Sequence, residues 1–221
     1  PVIDTRGDVV AFGSRVLDKS EPKYMNSSET PVYSKRRVLY GLNLAKKSKR
    51  PNIILCEGNL DIVTLHQAGF DNAVASMGTA LTVEQTRLLS RFTKELVLCY
   101  DNDNAGKIAT ERALQILNGS EFSVKVLQLP RRLVDGEYIK QDADDFIKLQ
   151  GPDAFERLLN GSENGVEFRM AQIAGKYDLK DDEARIAYCG EVSELLASLP
   201  GAVEREIYTG RAAEAAGITA E

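Results

Sequence analysis

Six carboxylates in three short stretches are the residues of this chain best suited to chemistry. Glu57 and Asp61 lie in Ile-Ile-Leu-Cys-Glu-Gly-Asn-Leu-Asp, and Asp101 and Asp103 in Leu-Val-Leu-Cys-Tyr-Asp-Asn-Asp. Asp142 and Asp144 lie in Lys-Gln-Asp-Ala-Asp-Asp. The first two groups each begin where a short apolar run stops, and such runs read as buried parallel strands. In an open α/β sheet, ligands sit in the crevice beyond the carboxyl ends of the strands, so acids there converge on one site. Hard oxygen ligands grouped this way suit Mg²⁺ or Mn²⁺ and, through the metal, phosphates.

The elements that must position these acids follow from the pattern. From Asn52 to about Leu159 strands and helices alternate, which means βαβ units and a parallel sheet with helices on both faces. Strands are predicted at Ile53–Cys56, Asn72–Ala75, Leu96–Tyr100 and Val124–Leu129. Helices are predicted at Leu60–Gln67, Val83–Arg91, Ala105–Leu117 and Ala154–Leu159, with a shorter piece near Asp144–Leu149. Thr82 with Gln85 makes a capping box for the second helix. Gly78 supplies a turn before it, so Gly-Thr-Ala-Leu-Thr is given a structural role only.

The flanks differ. Residues 1–50 read as a small mixed α/β segment: a hairpin of Val9–Phe12 and Arg15–Leu17 across Gly13-Ser14, then a turn-rich stretch, then a helical Arg36–Lys47. After Gly161 the pattern is helical, with stripes Val166, Met170, Ile173, Tyr177 and Cys189, Val192, Leu196, Leu199. Pro200-Gly201 interrupts, and Val203 with Ile207 opens a third helix. The expected division is 1–50, 51–160 and 161–221, the last a three-helix bundle with no site of its own.

Composition narrows the classes. No apolar stretch approaches the ~20 residues of a membrane helix, so no membrane partner is expected. Three cysteines without C-x-x-C spacing and a single histidine, His66, speak against a zinc site. His66 falls in a helical pattern and reads as structural. The cysteines and the lack of a secretory signal favour a reducing cytoplasm. The chain opens on Pro1 in mid-pattern, which reads as a piece of something longer. Net charge is −5, unevenly spread. Residues 1–50 hold eleven Lys and Arg against five Asp and Glu, a net of +6, and the remainder is −11. A basic part that grips a polyanion beside an acidic part that holds metal would have this asymmetry.

Each constellation has a bland rival. Asp101–Gly106 superficially resembles a calcium EF-hand loop, but that loop needs oxygen ligands at its fifth and twelfth positions, and Ala105 and Arg112 stand there. A surface turn explains the composition but not why both acids directly follow a buried strand. Glu57 alone could cap a helix; paired with Asp101 it becomes a candidate general acid or base. Asp61 is one helical turn further on, and Asp142 and Asp144 share one side of an extended segment. Lys23, Tyr24, Asn26 and Lys35 mix charge, an aromatic and an amide, which suits a single-stranded backbone or a nucleoside triphosphate.

Taken together, Glu57-Gly58 with Asp61, Asp101-x-Asp103-x-Ala105-Gly106 and Asp142-x-Asp144 resemble the TOPRIM domain shared by bacterial primases, topoisomerases and some nucleases. Phe12-Gly13-Ser14-Arg15-Val16-Leu17, Pro22-Lys23-Tyr24-Met25-Asn26-Ser27, Glu29-Thr30-Pro31, Leu39-Tyr40-Gly41 and Ser76-Met77-Gly78-Thr79-Ala80-Leu81-Thr82 narrow the resemblance to the bacterial DnaG-type primase. It is dense from about Val2 to Phe146, and the helical tail corresponds to the end of that family's RNA polymerase core.

The resemblance implies a nucleotidyltransferase that starts short RNA primers on single-stranded DNA from ribonucleoside triphosphates, in the cytoplasm at the nucleoid. It implies Glu57, Asp101 and Asp103 as catalytic residues, and Glu57, Asp61, Asp101, Asp103, Asp142 and Asp144 around Mg²⁺ or Mn²⁺. It implies Arg15, Lys23, Tyr24, Asn26 and Lys35 as contacts to template and nucleotide. The family's zinc module and its C-terminal module for the replicative helicase are expected to lie outside this chain, leaving it weakly active alone. The chain departs from the family at Asn59, at Asn102, around Asp142-Ala143-Asp144, and in a long loop at 131–138. The alternatives are a TOPRIM nuclease or topoisomerase-type enzyme that cleaves DNA, and a non-catalytic module that binds single-stranded nucleic acid.

Overall fold

In the computed structural model, residues 1–16, 24–76, 78, 80–134 and 136–219 are described. The chain divides into two compact units, Pro1–Leu117 with Glu121–Ser162, and Asn118–Ser120 with Glu163–Glu221.

The first unit opens with β1 (Val2–Ile3), β2 (Val9–Ala11), β3 (Gly13–Arg15), β4 (Tyr24–Asn26), β5 (Leu39–Tyr40) and the single turn α1 (Leu42–Ala45). Then come β6 (Asn52–Cys56), α2 (Asn59–Gln67), β7 (Ala73–Ser76), α3 (Val83–Leu89), β8 (Glu95–Cys99) and α4 (Asn104–Leu117). β9 (Ser123–Val126), β10 (Arg132–Val134), β11 (Glu137–Ile139), α5 (Ala143–Gln150) and α6 (Pro152–Asn160) complete it.

Five strands of this unit lie side by side in the order β9-β8-β6-β7-β5. The first four are mutually parallel, and β5 runs antiparallel on β7. Ile53, Ile54, Leu55 and Cys56 are all buried, as a strand covered on both faces requires. Ile54, Cys56, Val97 and Cys99 join one core with Ile62 and Leu65 of α2, Phe146 of α5 and Phe155 of α6. The alternate residues, Ile53, Leu55, Leu96 and Leu98, point to the opposite face and are buried too, as are Leu89 of α3 and Ala113, Leu114 and Leu117 of α4. Each such aliphatic side chain contributes about 1.5–3 kcal/mol on burial.

Two expectations for the first fifty residues are corrected. Gly13 and Ser14 do not form a hairpin turn; they lie inside β3, paired with Met25 and Asn26 of β4. β2 pairs instead with β1. The turn chemistry sits earlier, where the Asp4 carboxylate accepts the N–H groups of Arg6, Gly7 and Asp8. Leu17, the expected end of that hairpin, lies outside the described residues. The helix expected at Arg36–Lys47 is a strand followed by one helical turn. Pairing of Leu39 with Ser76 and Tyr40 with Ala75 overrides local propensity. Gly41 then turns the chain at φ +83°, where a Cβ would lie 2.7 Å from Ile62.

The predicted capping box is present: Thr82 accepts from Gln85 N–H at 3.1 Å, and the Gln85 side chain accepts from Thr82 N–H at 3.1 Å. Gln85 does more than cap. Its buried amide donates to the carbonyls of Lys35 (2.9 Å) and Val38 (3.0 Å), tying the leading segment to α3. Gln85→Ala leaves two carbonyls without these donors and is expected to lower unfolding free energy by about 2–3 kcal/mol. Denaturant titration checks this; a loss within noise would mean the carbonyls find other partners.

The second unit holds β12 (Glu163–Asn164), α7 (Gly165–Ala174), α8 (Asp182–Ala197) and α9 (Ala202–Ala216). Met170, Ile173, Tyr188, Val192, Leu196, Leu199 and Tyr208 form its core, as the stripes predict. Asn164 and Asp181 cap the first two helices, and α9 starts just past Pro200-Gly201.

Candidate metal and nucleotide site

Register builds the site. In the ladder between β6 and β8, Cys56 pairs with Cys99, so both strands end at the same level. The residues that follow therefore emerge together, although about forty positions separate them in sequence. Glu57 Oε1 accepts the N–H of Asp101 at 3.3 Å. Asp103 caps α4, its Oδ1 accepting from Gly106 N–H at 2.8 Å. The first turn of α4 is pressed against the strand end: a Cβ on Gly106 would lie 1.9 Å from the Asp101 carbonyl oxygen.

A cation already sits between these acids. The Lys140 ammonium is 3.2 Å from Asp101 Oδ2 and 3.0 Å from Asp103 Oδ2. Asp103 is held below the usual carboxylate range by the Gly106 N–H and by Lys140. Burial pushes Asp101 up despite Lys140, and burial with the Asp101 charge pushes Glu57 up. Asp101 and Asp103 thus share one cation through their oxygens, and hard carboxylate oxygens placed this way fit Mg²⁺ or Mn²⁺. Glu57 also lines a cleft of about 340 Å³ with Ser76, Tyr100, Ile108 and Arg112.

The third group of acids forms a second cluster. Asp142 is not in an extended segment with Asp144, as expected; it caps α5, accepting from Asp145 N–H at 2.8 Å, and Asp144 lies in the first turn. The correction follows from Asp being a strong N-cap at the head of an amphipathic run. Among the described residues, Asp142, Asp144 and Asp145 bring three carboxylate oxygens within 4.8 Å of one another. Asp144 also accepts from Thr64 and pairs with Lys148 at 2.6 Å. Burial would raise its pKa, but these two partners outweigh it and hold it low.

Asp61 braces the two clusters. It is buried, and its oxygens accept from Gly58 N–H (3.1 Å) and Asp144 N–H (3.2 Å), joining the β6 end to the head of α5. Burial, then the Asp142 charge, pushes it up to about 7. His66 is structural as expected, its Nε2 lying 2.9 Å from the Ala73 carbonyl.

Of the leading-segment residues, Arg15, Tyr24 and Asn26 gather on one groove, lined also by Asn59 and Tyr40. The Arg15 guanidinium lies 5.4 Å from the Tyr24 ring centre. Lys35 is held through its backbone, by Glu29 and Gln85, and does not line this groove. Lys23 lies outside the described residues. Sequence reasoning missed Lys140, Asp145 and Thr64. The signal for Lys140 was a lysine two positions before Asp142, and the signal for Asp145 was its place in the same acidic run.

A parallel sheet with acids at two adjacent strand ends and more at a following helix cap is the arrangement expected of a Toprim-type domain. Residues 54–147 match the family model described as Toprim-like. Residues 1–46 match the DNA primase catalytic core, N-terminal domain, and residues 166–221 the DnaB-helicase binding domain of primase. The chain is 40% identical to the DNA primase of Clostridium acetobutylicum over 219 residues, covering 99% of this chain and 35% of that one. It matches a DNA primase domain from Pseudomonas aeruginosa at 34% identity and TM-score 0.80, covering 100% of this chain and 68% of that one. A DnaG primase catalytic domain bound to ssDNA matches at 32% identity and TM-score 0.81, covering 99% and 68%. The chain belongs to the DnaG-type bacterial DNA primase family. It spans about a third of the length of the curated relatives it matches.

One expectation is overturned here. The helicase-binding module was placed outside the chain, yet residues 166–221 match the family's domain of that description. Helical periodicity reveals the bundle but not the family of domain it matches.

Proposed function

We propose that this chain synthesises short RNA primers on single-stranded DNA from ribonucleoside triphosphates. The observation that carries the reading is the pair of strand ends that sets Glu57 beside Asp101, with Asp103 close enough that both aspartates share the Lys140 ammonium. Its primase relatives favour it over a DNA-cleaving enzyme or a passive binding module.

In this reading Glu57, Asp101 and Asp103 are the catalytic acids, and with Asp61, Asp142 and Asp144 they make the metal site. These carboxylates would hold Mg²⁺ or Mn²⁺, which would supply Lewis-acid stabilisation to an attacking hydroxyl and a departing pyrophosphate. Glu57 holds a proton or a metal at the strand end, according to what occupies the cleft. Asp61, with both oxygens engaged by backbone N–H groups, keeps α5 and its acids against β6. Arg15, Lys23, Tyr24, Asn26 and Lys35 contact template backbone and triphosphate, leaving base choice to template pairing. The functional division is 1–50 for that basic part, 51–160 for the metal site and 161–221 for the replicative helicase. Such an enzyme works in the cytoplasm, at the nucleoid, and this piece alone is weakly active.

Incubation with a single-stranded template, Mn²⁺ and labelled ribonucleoside triphosphates tests the assignment. Short RNA products are expected. Degraded template with no ribonucleotide incorporation would assign the chain to the nucleases instead.

A further inference from the structure

β10 and β11 pair as an antiparallel hairpin, with Leu133 opposite Tyr138. Most of it is exposed, Tyr138 at 70%. Its two ends are fastened to one place. On the entering side, Asn102 Nδ2 donates to the Leu129 carbonyl at 2.8 Å, and Arg131 Nε donates to the Asn102 carbonyl at 3.4 Å. On the leaving side, Lys140 puts its ammonium between Asp101 and Asp103. The hairpin therefore straddles the Asp101–Asp103 loop and carries a cation into it.

An ammonium and a divalent ion cannot both fill that position. Each would use Asp101 Oδ2 and Asp103 Oδ2, and two cations at such short range repel. We propose that Lys140 is the resident cation of this site in the metal-free chain, a positioning residue that divalent metal displaces. Metal loading and release of the Lys140 side chain are then one equilibrium. This rests on the reading of Glu57, Asp101 and Asp103 as divalent-metal ligands. The Asn102–Leu129 link and the β10–β11 pairing do not involve the ammonium, so displacement frees the Lys140 side chain while the hairpin backbone stays in place.

A site blocked for most of the time by its own side chain shows an affinity reduced by the fraction that is open. With the ammonium in place about nine-tenths of the time, that reduction is about tenfold. Lys140→Met keeps the aliphatic stem and removes the competitor.

The test is a titration of Mn²⁺, followed by the paramagnetic resonance of the free ion, on the parent chain and on Lys140→Met. A second readout is acylation of Lys140 in the parent by an amine-reactive reagent, quantified by mass spectrometry with and without Mn²⁺. The expected result is Mn²⁺ bound about tenfold more tightly by Lys140→Met, and Lys140 acylated faster once Mn²⁺ is added. Equal or weaker binding by the variant, or acylation indifferent to Mn²⁺, while the parent binds the ion, overturns the displacement and leaves the metal site standing. Failure of both chains to bind Mn²⁺ overturns the metal-site reading itself, and this proposal with it.

Discussion

Glu57→Gln is expected to lower ribonucleotide incorporation by about 10²–10⁴-fold, the span associated with losing a positioned acid or base, while the chain stays folded. Glutamine keeps the shape of the side chain and an oxygen able to accept the Asp101 N–H. What it removes is the charge at the end of β6. Glu57 is only half-buried and borders the cleft, so the substitution disturbs packing little. Rates measured at saturating Mn²⁺ separate the lost proton or metal chemistry from simple loss of affinity. Turnover unchanged in Glu57→Gln would remove Glu57 from the catalytic set and shift the burden to Asp101 and Asp103.

Gly106→Ala should be nearly as damaging, through geometry rather than charge. Its Cβ would fall 1.9 Å from the Asp101 carbonyl oxygen and 2.8 Å from the carbonyl carbon, both backbone atoms at the end of a buried strand. Either α4 moves outward or the strand end does, and Asp103 caps that helix through Gly106 N–H. Overpacking of this kind costs about 1–3 kcal/mol, and the displacement spreads Asp101 from Asp103. The expected outcome is a lower denaturation midpoint together with Mn²⁺ affinity weakened at least ~tenfold, the lower end of the cost of disturbing a metal site's supporting residues. Stability and affinity both close to the parent's would show that α4 yields without moving the acids.

The convergence of the strand-end acids is legible in the sequence because it depends on buried parallel strands. Four apolar residues running straight into Glu57, and four more running into Tyr100 and Asp101, announce both the strand and where it stops. Equal register then does the rest, and the ladder puts Cys56 beside Cys99 as convergence required. The capping box at Thr82 was legible for the same local reason. The first fifty residues were harder to read. Their strands are two or three residues long and get their identity from partners elsewhere: Leu39 and Tyr40 from β7, Gly13 and Ser14 from β4. No period survives in so short a segment. The Asp142 turn was misread since an N-cap and an extended acid pair look alike until the helix behind them is known. Lys140 could not be placed at all, because its contact with Asp101 and Asp103 spans 39 and 37 positions and depends on the path of a hairpin.

The central claim is that the strand-end acids hold a divalent cation on which nucleotide binding depends. Titrating Mn²⁺ into the chain, with and without a ribonucleoside triphosphate, beside the double variant Asp101→Asn/Asp103→Asn, tests it most directly. The account predicts Mn²⁺ binding in the parent that the double variant loses, and triphosphate binding only when metal is present. A parent that binds neither, or a double variant that binds both as the parent does, would contradict it.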